Sequence, residues 1–271
     1  MPELPEIVCR AKEMDAALVG RTVCEVEVLQ PKCLNVPADE FVRTLKRAAI
    51  RGVTHRGKWI VVETTRALLL VNLGMGGEVL LVPTRSLPKK WRVRLAFRDG
   101  ETLTINFWWF GYVHLAPGGT LEGHPMVAAL GPDALDLSLG EFRRLLEGRR
   151  GAIKAFLLDQ SRVAGIGNAY VHDVLFRARL HPLRPIPSLS PQEVARLHRG
   201  IRTELGRSIA KGGAFYEPGL DGRPGGFTAE DLLVGYREGK ACPECGRPVE
   251  KIRTGSTASF ICPRCQPLRP R

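Results

Sequence analysis

The first twenty residues carry apolar side chains every three or four positions. That spacing places them on one face of a helix, and Pro5 suits the first helical turn. The pattern predicts a helix over residues 5–18, which would hold Pro2 and Glu3 at its positive end. The apolar face consists of Ile7, Ala11, Met14 and Leu18.

Between residues 22 and 107 the apolar positions alternate with polar ones. An alternation of period two is typical of strands that bury one face. In the predicted strand 91–98 one face is apolar and the other carries three arginines. So many short strands with Gly and Pro turns predict a sandwich or barrel. The runs are TVCEVEVL, KWIVVE, ALLLVNL, EVLLV, WRVRLAF and TLTINF.

After residue 131 the pattern becomes helical. Ser138 and Ser190 each precede a glutamate by three positions, and these capping boxes predict helices of about 10 and 20 residues. Further helices are predicted over 152–160 and 168–179. The Gly-rich segment 211–227 predicts a long loop, which is usually functional or mobile.

Four of the seven cysteines form the pattern C-x2-C-x16-C-x2-C. Two thiolate pairs at this spacing supply a tetrahedral Zn²⁺ site, and four cysteine ligands leave no open position for catalysis. We predict one structural zinc, with four free thiols as the alternative. The ligands would be Cys242, Cys245, Cys262 and Cys265, whereas Cys9, Cys24 and Cys33 are expected to be ordinary thiols.

Together these elements predict an α+β protein with two domains. Residues 1–131 form an N-terminal β-sandwich with a flanking helix. Residues 132–235 form a helical domain that contains the loop 211–227. Residues 236–271 form a four-cysteine zinc finger at its C-terminal end.

The chain of 271 residues has 40 Lys and Arg against 28 Asp and Glu, a net charge of +12. This excess favours a polyanionic partner. Residues 1–130 carry 17 basic and 13 acidic side chains, and the rest carries 23 and 15, so most of the excess lies in the helical and zinc part. The basic residues near the cysteines either contact phosphates or form a solvated surface; they are Arg247, Lys251, Arg253, Arg264 and Arg269.

No apolar run has the roughly 20 residues of a membrane span, and the acidic start is unlike a signal peptide. We therefore expect a soluble protein of the cytoplasm without a membrane partner.

The N-terminus offers a second chemical signal. Methionine before a small residue is normally removed, which would leave Pro2 with a secondary α-amine. Such an amine titrates near 8 and can attack a sugar carbon to form an iminium. Glu3 beside it could move protons. Alternatively, Pro2 only permits removal of Met1, and Glu3 is a helix-start acid; if Met1 stays, the Pro2 nitrogen is an inert amide.

Two further features are weak by themselves. The turn Gly165–Asn168 could offer backbone N–H groups to a phosphate, or could simply connect two helices. Lys58 follows Arg56-Gly57 at a strand start and says little alone.

Five segments carry a resemblance to a known family. They are PELPEI at the start, HRGKW at 55–59, LGMGG at 73–77, LLDQSRVAGIGNAYVHDVLFRARLHP at 157–182, and the stretch from RPGGF to CPRCQ at 223–266. In this order they resemble the formamidopyrimidine-DNA glycosylases and their relative endonuclease VIII, over nearly the whole chain. The resemblance implies a β-sandwich and a helix-two-turn-helix domain with a zinc finger, which together bind damaged double-stranded DNA as a monomer.

The resemblance also assigns roles to residues. Pro2 would attack the sugar C1′ of a flipped nucleotide, Glu3 would assist by proton transfer, and Lys58 would serve the elimination that follows. Asn168 and Lys154 match phosphate-binding residues. An apolar side chain fills the gap left by the flipped nucleotide, and Met75 matches it.

Several positions depart from the family pattern. Thr257 stands where an arginine grips the phosphates around the lesion and helps the second elimination; Arg253 on the same hairpin could compensate. In the stretch 107–110, Trp108 replaces the arginine that pairs with the opposite cytosine, while Phe110 keeps an aromatic side chain. A stacking indole gives no hydrogen-bonded selectivity. The remaining departures are Asn72 for a histidine and Gly226 for an aromatic residue.

We therefore predict a bacterial-type, nucleoid-associated base-excision-repair glycosylase with abasic-site lyase activity. It acts on oxidised or otherwise damaged bases through a proline Schiff base. We expect β-elimination with weakened δ-elimination. The alternative is a protein that binds damaged or abasic DNA without excising bases, or with lyase activity only.

Overall fold

The structure is a computed structural model that describes residues 1–255 and 257–268; Arg269 lies outside the described residues. The chain divides into two compact units. The N-terminal unit comprises 1–129 together with 211–226, and the helical unit comprises 130–210 and the residues from 227 onward. The loop segment 211–226 therefore groups with the N-terminal unit, although along the sequence it follows the last long helix.

The N-terminal unit opens with the predicted helix. Helix α1 spans Leu4–Leu18, because Glu6 bends back and its Oε2 accepts a hydrogen bond of 2.9 Å from the Glu3 N–H. Its apolar face is buried, as predicted.

Two four-stranded antiparallel sheets follow, in the orders β1-β6-β7-β5 and β2-β3-β4-β8. The bounds are β1 (Val23–Val28), β2 (Ile50–Arg56), β3 (Trp59–Thr64), β4 (Leu68–Asn72), β5 (Glu78–Pro83), β6 (Val93–Phe97), β7 (Glu101–Asn106) and β8 (Tyr112–Leu115), with short helices α2 (Ala38–Leu45) and α3 (Pro125–Ala128). The inward faces of both sheets share one apolar core with α1, so the sandwich is confirmed.

Strand β6 shows how the alternation produces this core. Val93 and Leu95 are buried, whereas Arg94 points outward and pairs with Glu27 on β1 at 2.6 Å. The strand is shorter at both ends than the predicted range 91–98.

Four main helices build the helical unit, and both capping boxes are present. The Oγ of Ser138 accepts from the Glu141 N–H at 3.2 Å, and the Oγ of Ser190 accepts from the Glu193 N–H at the same distance. Gly200 permits close packing, since a Cβ there would lie 2.9 Å from the Val174 carbonyl oxygen. The helices are α4 (Leu139–Leu146), α5 (Ile153–Leu158), α6 (Val171–Ala178) and α7 (Pro191–Ala210).

The four-cysteine segment follows in the same unit as a hairpin of β9 (Glu250–Thr254) and β10 (Thr257–Ile261). The buried carboxylate of Asp173 on α6 accepts from the backbone N–H groups of residues 233–235 at 2.8–2.9 Å, which fixes the chain before the hairpin. The predicted two-domain α+β fold class is thereby confirmed. In the part of the chain that the structure describes, no helix is long and apolar enough to cross a membrane.

Candidate functional site

The N-terminal unit gathers charged side chains around the start of the chain. Pro2 is buried behind the exposed Met1, and Glu3 is buried at the start of α1. Lys58 is half-buried in the turn between β2 and β3. Burial lowers the pKa of Lys58, while the negative charges of Glu3 and Glu6 raise it. The effect of burial is the larger one, and the two negative charges oppose it.

Asn72 braces the turn that carries Lys58. Its Nδ2 donates to the Lys58 carbonyl oxygen at 3.2 Å, and its Oδ1 accepts from the Gly74 N–H at 3.1 Å. The side chain that replaces a histidine of the family pattern thus ties the lysine turn to the LGMGG segment.

Hydrogen bonds attach the segment 211–226 to α1, and the sequence patterns do not predict them. Glu6 Oε1 accepts from the Ala214 N–H at 3.1 Å. One turn further, the buried Arg10 donates to the Pro218 carbonyl oxygen at 2.5 Å. At the next turn Glu13 accepts from the Leu220 N–H at 2.7 Å. The available signal was the row of charges at 6, 10 and 13 on one helix face.

These hydrogen bonds position Glu217, a residue that the sequence patterns did not single out. Glu217 is only 6% exposed, and its Oε1 lies 3.3 Å from the α-amine of Met1. Burial raises the pKa of Glu217 to about 7. A further glutamate therefore lies against the α-amine of the chain, close enough to Glu6 for the two negative charges to interact.

The same segment closes tightly at its base. The Gly226 N–H donates to the Lys211 carbonyl oxygen at 2.8 Å, and a Cβ at Gly226 would lie 2.8 Å from that oxygen. A bulkier residue at 226 would disturb this closure, which accounts for the departure from an aromatic residue.

An exposed aromatic tip, formed by Met75 and residues 108–110, lies elsewhere on the N-terminal unit. The Met75 N–H donates to the Trp109 carbonyl oxygen at 2.8 Å, and the Trp108 N–H donates to the Met75 carbonyl oxygen at 2.9 Å. A Cβ at Gly76 would lie 2.5 Å from the Trp108 indole, so the ring lies over that glycine. Trp108, Trp109 and Phe110 are nevertheless 68%, 65% and 75% exposed. The tip is therefore an ordered apolar surface.

The four predicted zinc ligands lie together in the helical unit. All four sulfur atoms are within 4.8 Å of one another, with Cys245 and Cys262 Sγ at 3.4 Å and Cys242 and Cys265 Sγ at 3.9 Å. Zinc–sulfur bonds of about 2.3 Å in a tetrahedron require sulfur separations of about 3.8 Å. The donor set therefore fits a structural Zn²⁺.

Lys154 on α5 lies beneath the zinc hairpin and is 3% exposed. Its Nζ donates to the hydroxyls of Thr254, Thr257 and Ser259 at 3.3, 3.1 and 2.8 Å and to the Ala258 carbonyl oxygen at 2.7 Å. Burial lowers the pKa of Lys154 to about 8. The ammonium thus supports the hairpin from inside the unit.

Two other predicted DNA-contacting residues of this unit are more accessible. Arg253 is exposed beside the hairpin turn, where its Nε donates to the Gly255 carbonyl oxygen at 3.3 Å. Asn168 is half-buried, and its Nδ2 lies 3.4 Å from the Tyr236 hydroxyl. Among the described residues, the Asn168 Oδ1 has no hydrogen-bond partner.

Comparison with known proteins agrees with these features along the whole chain. Family models of the formamidopyrimidine-DNA glycosylase N-terminal domain and helix-two-turn-helix domain match residues 1–106 and 130–217. The zinc finger found in FPG and IleRS matches 239–268. A formamidopyrimidine-DNA glycosylase from Magnetococcus marinus is 36% identical, with 98% of this chain and 99% of the relative covered.

Solved structures show the same similarity. The complex of Lactococcus lactis Fpg with DNA containing an abasic site gives a TM-score of 0.90 at 26% identity, covering 98% of this chain and 99% of the other. The MutM (Fpg) protein from Thermus thermophilus gives 0.87 at 32% identity, covering 99% and 100%.

The fold and the four-cysteine centre are therefore those of a zinc-containing DNA glycosylase of base-excision repair. The chain belongs to the formamidopyrimidine-DNA glycosylase family, whose members typically use an N-terminal proline and also cleave abasic sites. The predicted family and the structural zinc are confirmed.

Proposed function

We propose that Pro2, once Met1 is removed, is the nucleophile of this enzyme, that Glu3 moves protons around it, and that Lys58 supplies a positive charge nearby. The observation that carries this proposal is the burial of Pro2 and Glu3 at the start of α1, with Lys58 close enough for the negative charges of Glu3 and Glu6 to raise its pKa against the larger effect of burial. Burial keeps water away from a reacting amine.

In the first step the Pro2 amine attacks C1′ of the damaged nucleotide, the bond from C1′ to the base breaks, and the proton released from the Pro2 nitrogen passes to the departing base. Glu3 gives a proton to the sugar ring oxygen, so that the ring opens while the nitrogen lone pair forms an iminium between Pro2 and C1′. The Glu3 carboxylate left by this transfer accepts the C2′ proton, and the electron pair of that bond expels the 3′ phosphate by β-elimination. Lys58 provides the nearby ammonium charge that stabilises the departing phosphate.

The δ-elimination that would release the 5′ phosphate is weakened in this proposal. Thr257 offers a hydroxyl to a phosphate but no charge, and its oxygen already accepts from Lys154. Arg253 is an exposed cation on the same hairpin. A dominant 3′-phosphate product on a denaturing gel would contradict this part of the proposal.

On the helical unit we assign phosphate contacts to Asn168, Arg253 and Thr257, with Lys154 acting through the Thr257 hydroxyl. The Asn168 Nδ2 is an N–H donor, which is the kind of group that a phosphate oxygen requires. On the N-terminal unit, Met75 and Phe110 fill the space of the flipped nucleotide. Trp108 stacks on the opposite base.

The substrate class in this proposal is double-stranded DNA with an abasic site or a damaged base. The solved Lactococcus lactis complex contains an abasic site, which supports abasic DNA as the test substrate. The relatives are bacterial proteins, and an enzyme with this substrate belongs with the nucleoid in the cytoplasm.

Borohydride reduction on an abasic duplex tests the proposal. The protein, with loss of Met1 verified by mass spectrometry, should form a covalent adduct. A Pro2→Leu variant keeps Met1, since methionine is retained before a large residue, and should bind the duplex without forming the adduct. If the unaltered protein bound abasic DNA yet gave no adduct, it would be a damage-binding protein and the proposal would fail.

A further inference from the structure

We infer that Glu217 is a further catalytic residue, whose carboxylate takes a proton from the Pro2 amine as that amine becomes a nucleophile. This inference rests on the proposed function of Pro2. It adds to Glu3 and Lys58 a base that comes from the loop segment 211–226 instead of from the sandwich or α1.

The carboxylate of Glu217 has a fixed position. The contacts of Glu6, Arg10 and Glu13 hold the segment on both sides of it, at Ala214, Pro218 and Leu220. The Glu217 N–H closes a turn by donating to the Ala214 carbonyl oxygen at 3.0 Å. The Leu220 carbonyl oxygen accepts from the Leu81 N–H on β5 at 2.9 Å. A base must be held in place to act on one particular proton.

The fixed carboxylate faces the amine of the chain. With Met1 present, Glu217 Oε1 lies 3.3 Å from the α-amine nitrogen. Removal of Met1 moves the α-amine back by one residue, about 3.8 Å between successive Cα atoms. Proton transfer over one bridging water spans a gap of this size. After Met1 is removed, the α-amine that Glu217 would serve is therefore that of Pro2.

The surroundings of Glu217 suit a base that works near neutral pH. Its burial disfavours the charged carboxylate, and the negative charge of Glu6 adds to that effect; the α-amine and Arg10 favour the charge. The balance keeps the pKa of Glu217 at about 7. A carboxylate with this pKa can accept a proton from an ammonium group and return it within one turnover.

In the reaction with an abasic aldehyde, both N–H protons of Pro2 end in the water that leaves. Pro2 starts as an ammonium with two N–H protons, and one of them passes to the Glu217 carboxylate. The nitrogen lone pair forms a bond to C1′ while the C=O pair moves to oxygen, and the second N–H proton shifts to that oxygen. Glu217 then returns its proton to the hydroxyl, which leaves as water, and the nitrogen lone pair forms the iminium. Glu217 ends as a carboxylate.

The pH dependence of adduct formation tests this role, with single-turnover borohydride trapping on abasic duplex from pH 6 to 9. In Glu217→Gln the amine must lose its proton to solvent, and a free α-amine titrates near 8. At pH 6.5 this variant should form adduct at least about tenfold more slowly than the unaltered protein, and at pH 9 the two rates should agree within about twofold.

Two further variants keep the test decisive. Glu217→Asp retains a carboxylate and should keep the pH profile of the unaltered protein even if the rate falls. Asp221→Asn changes an exposed carboxylate of the same segment, one that accepts from the Arg223 N–H at 2.9 Å, and should leave the profile unchanged.

The outcomes separate this inference from the proposed function. If the Glu217→Gln rate is lower by one constant factor at every pH, or is unaltered, Glu217 is not the base. If the unaltered protein itself forms no adduct, the role of Pro2 fails, and the role of Glu217 fails with it.

Discussion

Two lysines, the half-buried Lys58 of the N-terminal unit and the buried Lys154 of the helical unit, lie in different surroundings. Burial lowers the pKa of both Lys58 and Lys154. Around Lys58 the carboxylates of Glu3 and Glu6 oppose that effect. Around Lys154 the acceptors are three hydroxyls and a carbonyl oxygen. Negative charges therefore favour the ammonium of Lys58, whereas neutral acceptors of the hairpin bind that of Lys154.

The difference also connects two features of the helical unit. Thr257 stands where the family resemblance predicts an arginine, and its hydroxyl accepts from Lys154 at 3.1 Å. An arginine has no acceptor and carries a positive charge, so it could not take that place beside the ammonium. An arginine at position 257 would therefore leave the Lys154 ammonium without one of its three hydroxyl acceptors.

Zinc removal should produce the largest effect, because we expect it to unfold the zinc segment of the helical unit and to leave the sandwich folded. Structural zinc contributes about 10–16 kcal/mol of apparent binding energy in finger peptides. Chelation, or Cys262→Ser, should abolish amide-exchange protection over 239–268 and binding to abasic duplex, while the sandwich stays protected. Cys24→Ser in β1 is the matched control and should change neither. Continued protection of the hairpin without zinc would contradict the structural role of the metal.

Replacement of each lysine by methionine should distinguish the proposed catalytic role of Lys58 from the structural role of Lys154, because only the first should strongly lower the reaction rate. Lys58→Met should slow strand cleavage by about 10²- to 10³-fold, the usual range for loss of one group that stabilises developing charge. Lys154→Met should slow strand cleavage by less than about fivefold, since the hydrogen bonds of its ammonium to described residues go to the hairpin. Single-turnover rates on abasic duplex at saturating enzyme measure both. Equal losses of rate in the two variants would mean that Lys58 and Lys154 do not differ in role.

Stability against pH sharpens the comparison further. Burial lowers the pKa of Lys154 to about 8, from an ordinary value of 10.5. Between these values the unfolded chain binds more protons at this residue than the folded chain does, so the free energy of unfolding rises with pH. From pH 8 to 10 the unaltered protein should gain about 2 kcal/mol relative to Lys154→Met.

Denaturant unfolding of the zinc-loaded protein at both pH values measures this gain. The control is Lys251→Met, which replaces an exposed lysine on the same hairpin and should keep the full pH-dependent gain. An identical pH dependence in Lys154→Met and in the unaltered protein would mean that the Lys154 ammonium is not desolvated.

The sequence predicts the features that depend on neighbours along the chain. The helix at 5–18, the two capping boxes and the cysteine spacing all follow from local patterns, and each is present. The position of Glu217 is different, because it depends on contacts such as that of Arg10 with Pro218, 208 residues apart. The segment that carries Glu217 has no hydrophobic periodicity from which such contacts could be inferred.

Lys154 illustrates the same limit for the site residues. Its position in α5 is predictable, and the resemblance assigns it to a phosphate. That its Nζ instead meets Thr254, Thr257 and Ser259 follows only from the way β9 and β10 fold over α5. A single sequence contains no signal for that packing.

The smallest expected effect concerns the aromatic tip, and it tests what the departure at Trp108 does to the choice of opposite base. Trp108 lies in the N-terminal unit, far more exposed than the residues around Pro2. An indole stacks on any base, whereas an arginine forms hydrogen bonds to particular bases.

The rate of excision of one lesion opposite each of the four bases should therefore vary by less than about threefold in the unaltered protein. Trp108→Ala should lower all four rates alike, and Trp108→Arg should raise the preference for cytosine to about tenfold. A strong preference in the unaltered protein would mean that another residue reads the opposite base.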